Sequence, residues 1–481
     1  MEFHIAGVFE RGFSVHSGLA RDERAVAEPW KFTLSEGLAR MAGGTLSAED
    51  WARSLLSRID QCEGRVRAWA QVDREGALEA ARAADRARAE GRPPGPLAGA
   101  PYGAKDIFDI KGLRREAGTS LYRGHVPDAD AACIARLRSA GAVALGKTVT
   151  TPFANSDPSV TRNPWDLSRS PGGSSSGSAA AVAAGMVPVA LGTQTTGSTL
   201  RPAAFCGACA LKPTYGRIPR SGIVKVSWTF DHVGLIARAA EDLARLLTVM
   251  SGPAAGDDGA PDVPVPDFAA ASAPRRPGRV LFLREDFLPL ASPEVAGRTL
   301  AAVSLLRGKG VEVEEGRLPM GSDAIHAAHA IVRAVDAACY HNEMFRADMD
   351  AYPPSTRKTV TEGFMVPAVH YLNALRLRSR FVRVMDKLHD RHELVLLPTF
   401  DQPPPPWEAS TGNPLFCEAL TFLGQPAVTL PLGRGGEGLP FGIQLGARRF
   451  GEAGLLAAAR WCEEELGWRA EIAEAAVLSP S

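Results

Sequence analysis

Residues 172–202 read GGSSSGSAAAVAAGMVPVALGTQTTGSTLRP, four textures in one run. A Gly/Ser loop leads into small residues, Ala179 to Ala184, dense enough for a buried helix. After Gly185 come the apolar residues of a predicted strand, Val187 to Leu191, with Pro188 inside it. The nearly apolar stretch Ala179 to Gly192 is shorter than the roughly 20 residues that a membrane span needs, so it reads as core. A second glycine loop then ends in Ser198, and the following TLRPAAF places Pro202 in a first helical turn. Ser198 is thereby predicted at a helix start, with the amides of Thr195, Thr196, Gly197 and Ser198 around it. Such a loop suits a developing oxyanion.

Outward from this run the pattern is α/β. Short apolar segments at Ala142 to Leu145, Val280 to Leu283, Leu394 to Leu397 and Ala427 to Leu430 are bounded by Gly or Pro, the pattern of strands covered on both faces. Helical stretches separate them. Ser47 with Asp50 marks a helix start before Trp51, Leu55, Ile59 and Cys62, and Glu75 to Gly91 is a second helix ending at glycine. The last helix carries Leu455, Ala459, Cys462 and Leu466 on one side, with Gly467 behind it. Residues 1–30 show no period and read as an extension, 31–470 as one domain, and 471–481 as a tail. Residues 252–278, rich in proline and glycine, read as a surface linker or long loop between two lobes of that domain.

Composition narrows the function. The 481 residues are 45% apolar and 22% charged, an ordinary globular balance. Basic and acidic residues number 54 each, so no net field draws the chain to nucleic acid or an anionic membrane. The N-terminus carries acids early and lacks a long apolar core, which argues against a signal peptide and for the cytoplasm. Seven scattered cysteines fit reduced thiols, including the CxxC of Cys206 and Cys209.

Three motifs compete in the middle of the chain. GAVALGKT, residues 141–148, matches a phosphate loop by letters, but its AVAL is itself a strand and Pro152 interrupts the helix that such a loop requires. Gly173 to Gly177 matches a nucleophile elbow around Ser175, yet NPWDLSRSP before it is no strand. The histidines His326, His329, His341, His389 and His392 lie in helical stretches and read as packed or surface residues, with an HxxH metal pair at 326 and 329 the minor alternative.

The third reading takes the whole run as a site and asks for a base. Lys105, in PYGAKDIFDIKG, is predicted at the end of a buried strand. A lysine acts as a base only when neutral, and from an ordinary pKa roughly one in a few thousand is neutral at pH 7. Parity requires about 4 to 5 kcal/mol of bias, within what burial supplies. A hydroxyl between lysine and nucleophile would pass the proton, and Ser174 is the candidate. Ser175, Ser176 and Ser178 read as loop and helix support, Asp106 and Asp109 as structure.

These residues resemble the amidase signature family. The match lies in GAPYGAKDIFD, GAVALGKT, TRNPWDLSRSPGG, the run from 172, RPAAFCGACALKPTYGRIPRSG, and GQPAVTLPLG followed by GLPFGIQLGA, all in the family's order. The resemblance spans about residues 35–468. It implies a large mixed twisted sheet covered by helices on both sides. It also implies a catalytic triad of Lys105, Ser174 in a cis peptide, and nucleophile Ser198. The implied reaction is amide hydrolysis through an acyl-enzyme ester on a small-molecule amide, with no metal or cofactor. Gln194 and Thr196 stand where the family commonly has Asp and Gly. A β-branched Thr196 resists positive φ, so it should narrow the acyl pocket or reshape the loop. The wording TQT…GS…RPAAFCG with SWTFDHVGLIARAAEDLARLL is similar to the malonamidase branch, which implies that Arg201 pairs with a substrate carboxylate. An internal ion pair is the plainer alternative for Arg201.

Other readings stay open: a glutamine-hydrolysing amidotransferase subunit, an ester or carbamate hydrolase of the same mechanism, and a nucleotide-binding protein using residues 141–148. The sequence leaves a homodimer open.

Overall fold

Eleven strands form one continuous mixed sheet flanked by helices in the computed structural model, which describes residues 28–257 and 259–474. In chain order they are β1 (Trp69–Val72), β2 (Pro101–Lys105), β3 (Val143–Thr148), β4 (Val189–Gln194), β5 (Cys209–Lys212), β6 (His232–Ala237), β7 (Arg279–Phe282), β8 (Glu312–Glu315), β9 (Leu394–Pro398), β10 (Ala427–Arg434) and β11 (Pro440–Ala447). Their spatial order is β1-β3-β2-β4-β6-β5-β10-β11-β9-β7-β8. Parallel pairing joins β2 to β3 and β4 at one side and β7 to β8 and β9 at the other. Antiparallel strands bridge the two groups.

The sequence expectations for the central run hold with one shift. Residues Ser176–Ala183 form a helix buried on every side, packed against β2, β3, β4 and β6. Only small side chains permit that approach: a Cβ on Gly177 would sit 2.2 Å from the Ala68 carbonyl oxygen. The strand after it begins at Val189, two residues later than the apolar run suggests, because Pro188 has no N–H to donate to a ladder. Ser47 caps the helix Ala48–Val66 by accepting from the Asp50 amide at 3.0 Å. The GKT match is the end of β3, as its apolar letters indicate.

One expectation changes. Segment 252–278 contains a short helix, Phe268–Ala271, and does not divide the protein into lobes, since β7 beyond it joins the same sheet through β9. It is pinned near its start, where Asp257 pairs with buried Arg220 at 3.1 Å. Of the extension only residues 28–30 are described, and of the tail only 471–474; the rest of each lies outside the described residues. Trp30 is buried, with the Arg58 guanidinium 4.1 Å from its ring. No described helix is long and apolar enough to cross a membrane.

Candidate active site

Parallel β2 and β4 run in the register Gly103↔Ala190 and Ala104↔Leu191, which carries Lys105 and Thr193 to the same edge of the sheet. The Lys105 amine is wholly buried, 2.7 Å from Ser174 Oγ and 2.8 Å from Thr193 Oγ1. Burial pulls its pKa down to about 7, against the opposing attraction of the Asp231 carboxylate. A substantial neutral fraction at physiological pH follows.

The loop before the helix Ser176–Ala183 delivers Ser174. Gly172 has φ +80°, and a Cβ there would meet Pro202 Cα at 2.8 Å, so this turn admits only glycine. The Gly173–Ser174 peptide bond is cis, and the Ser174 carbonyl accepts the Thr151 N–H at 3.1 Å. The neighbouring serines support the loop as expected. Ser176 Oγ donates to the Gly172 carbonyl at 2.8 Å, Ser178 Oγ to that of Leu191 at 2.8 Å, and Ser175 Oγ accepts the Thr193 N–H at 3.2 Å.

Ser198 is half-buried and lines a cavity of about 130 Å³ shared with Thr195, Thr196 and Arg201. The Ser175 N–H donates to the Ser198 carbonyl at 3.2 Å, tying the two serine loops together. The Lys105–Ser174 link is closed; among the described residues no hydrogen bond joins the Ser174 and Ser198 hydroxyls. The amides of Thr196, Gly197 and Ser198 donate to no described protein group.

The two unusual loop residues have physical explanations. Gln194 Oε1 accepts from the amides of Thr199 and Leu200 at 2.9 and 3.0 Å, capping the helix Leu200–Phe205, while its Nε2 donates to Thr421 Oγ1 at 2.9 Å. Thr196 avoids positive φ altogether. It reaches the cavity wall, and its carbonyl accepts from Thr421 Oγ1 at 2.9 Å.

Arg201 is buried without an ion-pair partner among the described residues, so the internal-pair alternative is not what forms. Its Nη2 donates to the Gly173 carbonyl at 2.8 Å and Thr411 Oγ1 at 3.3 Å, leaving Nε and Nη1 unpartnered. Burial lowers its pKa to about 10. Sequence reasoning missed a second guanidinium on the same cavity, Arg333, whose one hydrogen bond among the described residues is a long 3.5 Å contact to Asn155 Oδ1. Arg333 lies on the helix Ser322–Ala347, far along the chain, and no local pattern marks it.

The same helix places the histidines as packed residues, and adds a partner the sequence did not show: His326 and His329 both turn to Glu418 on the helix Leu415–Phe422. His329 Nδ1 is 2.6 Å from Glu418 Oε1, and its Nε2 is 2.9 Å from the Thr195 carbonyl. Asp231, also overlooked, accepts from Thr195 Oγ1 at 2.6 Å and from the amides of Val226 and Ser227. Lys147 of the GKT sequence pairs with Asp106 at 2.9 Å, Arg115 pairs with Asp109 at 2.9 Å, and Cys206 and Cys209 are free buried thiols.

Comparison with known proteins places these features in context. The amidase family profile matches residues 50–456. The chain is similar to the glutamyl-tRNA(Gln) amidotransferase A subunit of Roseiflexus sp. (strain RS-1), 36% identical over 89% of this chain and 94% of the relative. Its counterpart in Myxococcus xanthus (strain DK1622) is 33% identical over 90% and 97%. Among solved structures, the peptide amidase of Stenotrophomonas maltophilia superposes with TM-score 0.79 at 28% identity, covering 91% of this chain and 98% of that one. The 6-aminohexanoate cyclic dimer hydrolase superposes with TM-score 0.81 at 25% identity, covering 94% and 99%.

Proposed function

The chain belongs to the amidase signature family, and from that premise we propose that it hydrolyses a small, carboxylate-bearing carboxamide through an ester on Ser198. The observation that carries this reading is the buried Lys105 amine, shifted to about 7 and hydrogen-bonded to Ser174 beside the cavity that Ser198 lines. Neutral Lys105 accepts the Ser174 proton as Ser174 takes the proton of Ser198 Oγ, which attacks the amide carbon. The oxyanion is held by the amides of Thr195, Thr196, Gly197 and Ser198. Proton return through Ser174 releases ammonia or an amine, and water cleaves the ester.

Two guanidiniums support the acidic tail. Arg201 has two unpaired donors, and Arg333 forms no ion pair among the described residues, whereas the one carboxylate on the cavity wall, Glu418, is already engaged by two histidines. A substrate carboxylate would satisfy donors that are otherwise costly to bury.

A second reading is favoured by the full-length relatives, which are named as subunits of an amidotransferase. Glutamine is itself a small amide with a carboxylate, so the same pocket chemistry would suit release of ammonia for a partner protein. An amide and ester panel, including glutamine, malonamate-like acids and neutral counterparts, combined with mass spectrometry of a fluorophosphonate adduct, tests both. The expected adduct is on Ser198. Turnover by the isolated chain supports a free-standing hydrolase, while activity on glutamine only with partner proteins supports the second reading. Arg201→Ala is expected to weaken kcat/KM for acidic amides by roughly 10- to 100-fold relative to neutral ones; an equal effect on both removes the carboxylate role.

A further inference from the structure

His329 touches two groups that only accept hydrogen bonds. The Thr195 carbonyl, 2.9 Å from Nε2, cannot donate, and the Glu418 carboxylate, 2.6 Å from Nδ1, cannot donate while ionised. We infer that His329 is a positioning residue that works as an imidazolium, clamping the Thr195 carbonyl so that the oxyanion loop is correctly aimed only while both ring nitrogens carry protons. This role rests on the hydrolase reading above.

The clamp follows from peptide geometry. A trans peptide is planar, so its C=O and N–H point in opposite directions. Holding the Thr195 carbonyl toward His329 turns the Thr196 N–H the other way. The next peptide faces Thr421 Oγ1, whose single proton is shared between the Thr196 and Cys417 carbonyls, each 2.9 Å away, and which orients the Gly197 N–H when given to Thr196. Two successive amides are thus aimed from behind, one by a neutral hydroxyl and one by a charged ring. Should Nε2 lose its proton, two lone pairs would face each other across the 2.9 Å contact and the Thr195–Thr196 peptide would turn.

The surroundings supply a carboxylate for the ring to face. Burial alone would push the Glu418 carboxyl up, but His329 and His326 outweigh it and hold it at about 2. His326 Nδ1 bonds the other carboxylate oxygen. Arg333, on the same helix, is a cationic neighbour that opposes a further positive charge, while Asp231 adds a carboxylate through the Thr195 hydroxyl. Phe230 stacks on the ring at 4.5 Å, confining it to this plane.

The test uses the full chain with ¹⁵N-labelled histidine, the His329 ring signals being assigned by their loss in His329→Gln. Fluorophosphonate labelling of Ser198 is followed against pH in parallel. Both ring nitrogens are expected to carry protons in the protein that labels. Glu418→Gln should remove one ring proton and slow labelling, as His329→Gln does. His329→Gln should lower the labelling rate roughly 10- to 100-fold, below the loss of a whole oxyanion donor. A singly protonated ring throughout the active range, or an unchanged labelling profile in His329→Gln, overturns the inference. Absence of any Ser198 adduct would overturn the hydrolase reading and the positioning role with it, while the ring-proton count would still report the clamp itself.

Discussion

Lys105 and Lys147 stand on adjacent parallel strands, Ala104 opposite Lys147 and Lys105 opposite Thr148, and both are wholly buried. Burial pulls both ammonium pKa values down. They differ in what surrounds the nitrogen. Lys147 donates to the Asp106 carboxylate at 2.9 Å and the Phe108 carbonyl at 2.8 Å, acceptors that hold it charged and have no proton to give. Lys105 meets two hydroxyls, which accept from an ammonium and donate to an amine equally well. A third lysine, Lys212, shows that a shifted pKa is not enough: burial brings it to about 7, but it faces the Gln425 and Pro213 carbonyls. On the proposed mechanism, a buried lysine can serve as a base only beside a partner that can hand it a proton.

Removing each amine should therefore produce opposite phenotypes. Lys105→Met is expected to cut kcat/KM by roughly 10³- to 10⁴-fold with little loss of stability, read by steady-state kinetics and thermal melts. Lys147→Met leaves Asp106 buried and unpaired and should cost about 3 to 5 kcal/mol of stability in denaturant titration, with turnover per folded molecule nearly kept. A Lys147→Met protein that stays stable but loses turnover would erase the distinction.

The pH profile sharpens the contrast. Lys105 must lose its proton to act, so kcat/KM should rise about tenfold per pH unit up to about pH 7 and then level off; an acid limb midpoint near the ordinary lysine range would contradict the desolvated site. The unfolded chain keeps this proton up to about 10.5 and the folded chain only to about 7. Folding stability should thus rise with pH between those values, and Lys105→Met should lack that increment. The smallest effect concerns the second hydroxyl. Thr193→Val keeps the shape but removes one partner of the ammonium, and should lower kcat about tenfold while shifting the acid limb to lower pH. An unmoved limb would mean that Ser174 alone sets the amine's environment.

Much of this was legible in the chain. The alternation of short apolar runs with helices marked the α/β sheet, although β1, β5 and β8, four residues each, went unmarked, as did β6 and β11, whose apolar runs are interrupted by Gly234 and by Gly442, Gln444 and Gly446. The buried placement of Lys105 beside Ser174 and the position of Ser198 at the end of a glycine loop were legible because each sits in a local context of glycine, proline and small residues that restricts the backbone. Thr193 was within the quoted run but silent, since a threonine at a strand end has no signature until a lysine is beside it.

The sequence by itself determined the loops and the order of the strands' chemistry, because backbone permissiveness and burial of small side chains are properties of neighbouring residues. Only the tertiary structure decided which buried lysine met hydroxyls, that Arg201 lacked a carboxylate, and that His329 and Glu418 gripped the Thr195 carbonyl. Those outcomes depend on which side chains a sheet and two helices bring within about 3 Å, the reach of a hydrogen bond, across 69 to 134 residues of chain.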